Sequence, residues 1–258
     1  MRTAWQDDGE SKQVVAPLSL IVTAFAPVGD VRRTLTPQLQ FPDGVETELL
    51  LIDLGNNANR LGGSVLAQAY NSVAEHAPDV DAAQLAAFFG LIQQWRQDDL
   101  ILAYHDRADG GLFATLCEMA FASKCGLSVM LDTVAYDLYM NDVDGLDKRP
   151  DSLKGRFNDM LFKALFAEEL GAVIQIRRDE RSRFTEPLRA AGLSYHFVGE
   201  PNDRDELRFW RNAKLVFSAP RAELLQTWSE TSYQIARLRD DAECAKEEFE
   251  ALADVANP

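Results

Sequence analysis

Residues 103–112 read Ala-Tyr-His-Asp-Arg-Ala-Asp-Gly-Gly-Leu and hold the densest group of side chains able to do chemistry. An apolar run, Leu100-Ile101-Leu102-Ala103-Tyr104, predicts a short buried strand. It stops at His105-Asp106-Arg107-Ala108-Asp109. Gly110 and Gly111 follow, and apolar spacing from Leu112 to Ala122 predicts a helix. A carboxylate thus stands at a strand end, with glycines opening a helix behind it. That layout suits phosphate chemistry. Glycines let an anion approach the backbone, a helix start offers unpaired N–H groups, and a carboxylate can hold a hard cation. The same residues also suit a plain tight turn, with Asp109 capping the helix.

Other candidates are weaker. Gly62-Gly63-Ser64 sits at a second strand–loop–helix junction, but it lacks the lysine of a P-loop. His105 is a base, a ligand or a satisfied strand-end histidine, and the last suits its position best. His76 and His196 have no metal-like spacing with it. Glu168-Glu169 pairs two carboxylates at the end of an expected helix, where neighbours point to different sides. Asp142, Asp144 and Asp147 lack the glycine and glutamate of a calcium loop and read as a solvated acidic segment. Phe88, Phe89 and Trp95 read as core rather than as a base-stacking platform. Cys117, Cys125 and Cys244 are too few and too scattered for a disulfide framework or a zinc site.

His105-Asp106-x-x-Asp109-Gly110-Gly111-Leu112 resembles the His-Asp-x-Ser-Asp-Gly-Gly-Leu signature of formylglycinamide ribonucleotide amidotransferase, the large phosphoribosylformylglycinamidine synthase. Similar blocks flank it in order. They are Pro17–Ala26, Asp30–Leu39, Leu51–Gly55, Leu61–Gln68, Glu118–Ala122, Glu168–Gln175 and Arg237–Asp240. The resemblance implies the C-terminal domain of a unit like aminoimidazole ribonucleotide synthetase. It implies Asp106 as a magnesium ligand at a nucleotide (ATP or ADP) site, a structural rather than a catalytic one in the large enzymes. Ala108 takes the place of the family's nucleotide-contacting serine, so any contact there comes from the backbone. Asp132–Phe157 falls outside the matching blocks and reads as an insertion. Met1–Trp5 resembles an internal family segment that follows a Gly-Lys-Asp-Ser loop. The expected division is therefore an upstream remnant over 1–13, the domain over 14–238 and a linker over 239–258 toward a glutaminase domain. The implied partners are the remaining synthetase domains and the glutaminase of a longer enzyme, and an interface left uncovered predicts self-association. Two further readings stay open. One is another synthetase-superfamily enzyme, of the selenophosphate synthetase or thiamine-monophosphate kinase type. The other is a non-catalytic interaction domain with a vestigial nucleotide site.

The elements that must position these residues can be read coarsely. Strands are expected over Val14–Val28, Leu49–Leu54, Leu127–Leu131, Ala172–Ile176 and Tyr195–Val198, with a hairpin joining Phe209-Trp210 to Leu215–Phe217. Helices are expected from Gly62 to about Glu75, behind Asp81, and over Asn158–Leu170, Glu180–Ala191 and Arg221–Leu238. The helix behind Asp81 carries Leu85, Phe88, Phe89, Leu91, Ile92 and Trp95 on its apolar face. Residues from Asp240 read as a helical or mobile linker. Alternating strands and helices predict a layered α/β/α domain with a mixed sheet, in the α/β or α+β class.

Composition agrees with a soluble cytoplasmic fragment. With 258 residues, 47% of them hydrophobic, the chain can bury a sizeable core. Acids outnumber bases by 41 to 26, a formal charge of −15, which opposes general nucleic-acid or anionic-membrane binding. A local phosphate site remains compatible with that charge. No apolar run reaches the ~20 residues a membrane span needs.

Overall fold

Asp8 and Gly9 form a two-residue turn with φ of 49° and 83°, which asks for residues tolerant of left-handed backbone. It joins β1 (Arg2–Asp7) to β2 (Glu10–Val15), antiparallel from Arg2 opposite Val15 to Asp7 opposite Glu10. The computed structural model describes residues 2–15, 21–74, 76–136 and 151–253, apart from the side chains of 151–157. The chain falls into two compact units, Met1–Thr34 and Leu35–Pro258. Of the expected strand Val14–Val28, Val14 and Val15 lie in β2, and residues 21–28 form no strand. Residues 16–20 lie outside the described residues.

In the second unit seven strands form one mixed sheet in the order β4-β6-β3-β7-β5-β8-β9. They are β3 (Thr47–Asp53), β4 (Ala103–Asp106), β5 (Gly126–Met130), β6 (Gly171–Arg177), β7 (Ser194–Asn202), β8 (Glu206–Arg211) and β9 (Lys214–Pro220). All neighbours run antiparallel except β5 and β8. The central strand β3 shows why the sheet is covered on both faces. Leu49 and Leu51 enter one core, Leu50 and Ile52 the other, and all four are fully buried. Alternate side chains point to opposite faces, so a strand apolar at every position needs a layer on each side.

One layer contains α3 (Gly111–Ser123), α4 (Asp151–Phe166) and α6 (Arg221–Arg239), and Leu112, Leu116, Met119 and Leu165 pack with Leu49, Val129 and Phe209. The other contains α2 (Ala82–Gln97) and α5 (Arg181–Ala190), with Phe88, Ile92, Trp95, Phe184 and Leu188 against Leu50, Ile52 and Ile174. Trp95 and Phe184 meet at 4.8 Å between ring centroids. The layered α/β/α arrangement expected from the sequence is the one found. A short α1 (Val65–Ala69) and a final α7 (Ala242–Ala251) complete the unit.

Several boundaries differ from expectation for local reasons. α1 stops at Ala69 because Asn71 turns left-handed, with φ of 50°; the expected end, Glu75, lies outside the described residues. α4 ends at Phe166 rather than Leu170. Glu169 and Leu170 are held in another arrangement: both carbonyls accept from Arg107, and Leu170 also accepts from Leu54 N–H. Phe89 is 62% exposed, not core, because it follows Phe88 and sits about 100° further round the helix. Leu85 is exposed as well. Asp142, Asp144 and Asp147 lie outside the described residues. Cys117 and Cys125 are buried, and burial pushes their thiols up to about 12 and about 11, so they pack as small apolar groups.

Candidate functional site

β4 is the edge strand that carries the His105-Asp106 pair. Its register sets Tyr104 opposite Ile174 and Asp106 opposite Ala172 of β6. Residues two apart share a strand face. Tyr104 and Asp106 therefore lie on one side, and the Tyr104 hydroxyl donates to Asp106 Oδ1 at 2.5 Å. His105 lies on the other side, where its Nε2–H donates to Glu118 Oε2 of α3 at 2.7 Å. His105 is thus a satisfied strand-end histidine. Asp106, Ala108 and Asp109 are exposed.

The turn after Asp106 is anchored from below by Arg107, which is 3% exposed. Its Nε donates to the Glu169 carbonyl at 2.6 Å, and its Nη2 donates to both the Leu170 carbonyl and the Asp53 carboxylate. Asp53 also accepts from Gly55 N–H at 3.0 Å and Asn57 N–H at 2.6 Å. Beside it Glu169, fully buried, takes Arg60 in a fork, at 2.8 Å to Nε and 2.7 Å to the terminal nitrogen. Two buried carboxylates thus face two guanidiniums, each held by further hydrogen bonds, as buried charge requires. The network ties the end of β3, the start of β6 and the Asp106–Gly111 turn into one block.

His196 borders this network and donates from Nε2 to Asn57 Oδ1 at 2.6 Å. Burial lowers its pKa below the ordinary 6.5 and the Arg107 charge adds to that, while Asp53 opposes it. A histidine depressed in the fold takes up its proton more readily when unfolded. Stability should therefore fall as pH drops below about 6.5 and through the folded value. Thermal melts from pH 7 to 5 should show a shallower decline for His196→Gln than for the parent; equal slopes would contradict this.

Gly110 precedes α3 with φ of 80° and provides no side-chain cap, and Asp109 does not cap the helix. Gly111, φ 65°, passes close to α4, where an added Cβ would lie 2.7 Å from the Leu165 carbonyl oxygen. At the other glycine turn, Gly62 N–H donates to the His76 carbonyl at 2.7 Å. A Cβ on Gly62 would meet that oxygen at 2.4 Å, so this glycine serves close backbone packing. The two turns converge on Glu168. Its Oε1 accepts from Val65 N–H at 2.8 Å and from Gly110 N–H at 2.9 Å. Neither Glu168 nor Glu169 is helical, and they do separate jobs: Glu169 supports from within, and Glu168 holds the two turns together. The N–H groups that an anion would meet first are occupied by the protein's own carboxylate. Glu168→Ala should cost about 1.5–3 kcal/mol, the range for hydrogen bonds to a charged group, read by urea unfolding.

Among the described residues no group of three or more histidine, cysteine, aspartate or glutamate side chains is arranged to hold a metal ion. Asp106 fits a different kind of site. One exposed carboxylate, steadied at one oxygen, suits a magnesium ion that takes its other ligands from phosphate and water. Sequence reasoning missed Arg107, Asp53, Arg60 and Tyr104. The motif leaves the position of Arg107 unspecified, and only the fold places its partners Asp53 and Glu169 beside it. Among the described residues no helix is long and apolar enough to cross a membrane.

The chain belongs to the family described as AIR synthase related protein, C-terminal domain, which matches residues 46–211. That span runs from β3 through β8 and includes the Asp106–Gly111 turn. The phosphoribosylformylglycinamidine synthase II of Thermotoga maritima shares the fold, with a TM-score of 0.53 and 14% identity over 74% of this chain. The T. maritima protein complexed with ATP gives 0.52 and 14%, again over 74%. Complexed with FGAR, it gives 0.53 and 14% over 75%. This chain spans 27% of the first two structures and 30% of the third.

Proposed function

We propose that this chain acts as the C-terminal synthetase-like domain of a phosphoribosylformylglycinamidine synthase, supplying one metal carboxylate and part of a nucleotide site. The observation that carries the reading is Asp106, exposed at a strand end between a fixed tyrosine and two tethered glycine turns. The ordered sequence blocks support it. So do the T. maritima structures, which are described as complexes with ATP, ADP, AMPPCP and FGAR. The parent reaction joins formylglycinamide ribonucleotide, glutamine, ATP and water to give formylglycinamidine ribonucleotide, glutamate, ADP and phosphate. ATP activates the amide oxygen as a phosphoryl imidate, and ammonia released from glutamine displaces the phosphate.

Magnesium, when bound, neutralises phosphate charge. Asp106 is the residue of this chain that would hold it. Arg107 and Glu169 keep the turn in place, and Ala108 offers backbone contact where the family has a serine. The partners in this reading are further synthetase and glutaminase domains of a longer enzyme. Alone it should make no amidine product from ammonium, ATP and substrate. Turnover near an ordinary enzyme rate of ~10 s⁻¹ would overturn the proposal.

A second reading, an interaction domain with a vestigial site, is favoured by Ala108 and by the filled N–H groups at Gly110 and Val65. Equilibrium dialysis with ADP separates the two. Binding that needs magnesium and Asp106 supports the first, and none at millimolar ADP supports the second. Trp228, Ile235 and Leu238 lie exposed along α6. Concentration-dependent association is expected through them, and light scattering that reports a strict monomer at all concentrations would remove this expectation.

A further inference from the structure

The side-chain hydrogen bond of Asp106 comes from Tyr104. The neighbours of Asp106 are committed elsewhere: His105 to Glu118 across the strand, and Arg107 to Asp53 and the 169–170 carbonyls. We propose that Tyr104 is a positioning residue for the metal site, holding the Asp106 carboxylate by Oδ1 so that Oδ2 faces a divalent cation bound with a nucleotide. This rests on the metal–nucleotide reading of Asp106.

Three features fit Tyr104 for the task. Its backbone is fixed on both edges, by the β4–β6 ladder and by its own N–H donating to the Thr36 carbonyl at 2.9 Å. Its ring packs against the core that contains Trp95 and Phe184, so the hydroxyl cannot swing away without losing that packing. The contact at 2.5 Å lies in the range of a hydroxyl donating to an ionised carboxylate. An exposed aspartate would otherwise exchange rotamers, and a ligand to a cation loses affinity when it must first be ordered. With Oδ1 engaged, Asp106 is set to bind through a single oxygen. That leaves the remaining positions of a six-coordinate ion to phosphate and water.

The test uses this chain with Mn²⁺ and ADP as probes, titrated by water proton relaxation, with thermal melts alongside. Tyr104→Phe keeps the ring and removes only the hydroxyl. It should weaken Mn²⁺·ADP binding by about 10–100-fold, as removal of groups that orient a metal ligand typically does. Its melting curve should overlay that of the parent, and titrations well below the transition keep affinity separate from folding. Asp106→Asn is the control for the underlying site. If Asp106→Asn abolishes binding while Tyr104→Phe matches the parent, the Tyr104 assignment alone is wrong. If Asp106→Asn binds like the parent, or the parent itself does not bind, the site reading falls and this inference with it. A Tyr104→Phe chain that no longer folds would make the hydroxyl a structural group and also overturn the proposal.

Discussion

Replacing Arg107 by methionine should lower the unfolding free energy by about 3–5 kcal/mol, the usual cost of removing one partner from a buried ion pair. The reason is local. Arg107 is 3% exposed and Asp53 is 2% exposed, so water cannot take over from the guanidinium. Asp53 would keep two backbone N–H donors but lose its counter-charge, and the Glu169 and Leu170 carbonyls would lose a donor. Asp53→Asn in the same chain should recover part of the loss, because no uncompensated charge then remains buried. Urea unfolding of the two single variants and the double variant measures this coupling. A loss below about 1 kcal/mol for Arg107→Met would mean that the network does not anchor the turn.

Asp106→Asn should have the opposite profile. The carbonyl oxygen of the new side-chain amide would still accept from the Tyr104 hydroxyl, and the position is exposed, so stability should change by no more than about 1 kcal/mol. The amide is a poor ligand for a hard cation. Magnesium-dependent ADP affinity should therefore fall further than the roughly 10–100-fold expected for a group that merely orients a ligand. Asp109→Asn is the matched comparison. Asp109 is exposed and does not cap α3, so both stability and binding should stay unchanged. Equal losses for the two variants would mean that overall charge, not ligation, carries the effect.

The layered fold was legible because strands alternate with helices along the chain, and β3, apolar at successive positions, needs a layer on each face. The motif around Asp106 was legible because its residue types are unusual together. What stayed hidden was long-range or depended on one carbonyl. α4 was read four residues too long because apolar spacing continues to Leu170, whereas Glu169 and Leu170 are held in another arrangement, with both carbonyls accepting from Arg107. The hairpin of β1 and β2 could have been found from Asp8-Gly9 alone, had the apolar run behind it not suggested a longer strand. The roles of Glu168 and Tyr104 had no local signal. One is defined by two N–H groups far apart in sequence, the other by a strand register that places a hydroxyl over a carboxylate.

The measurement that bears most directly on Asp106 is a crystal of this chain grown with Mn²⁺ and ADP, read by anomalous scattering. A manganese peak about 2–2.5 Å from the Asp106 carboxylate, bridging to the nucleotide phosphates, is the predicted result. An ordered nucleotide whose metal lies away from Asp106, or an Asp106 carboxylate with no metal at saturating Mn²⁺ and ADP, would contradict it.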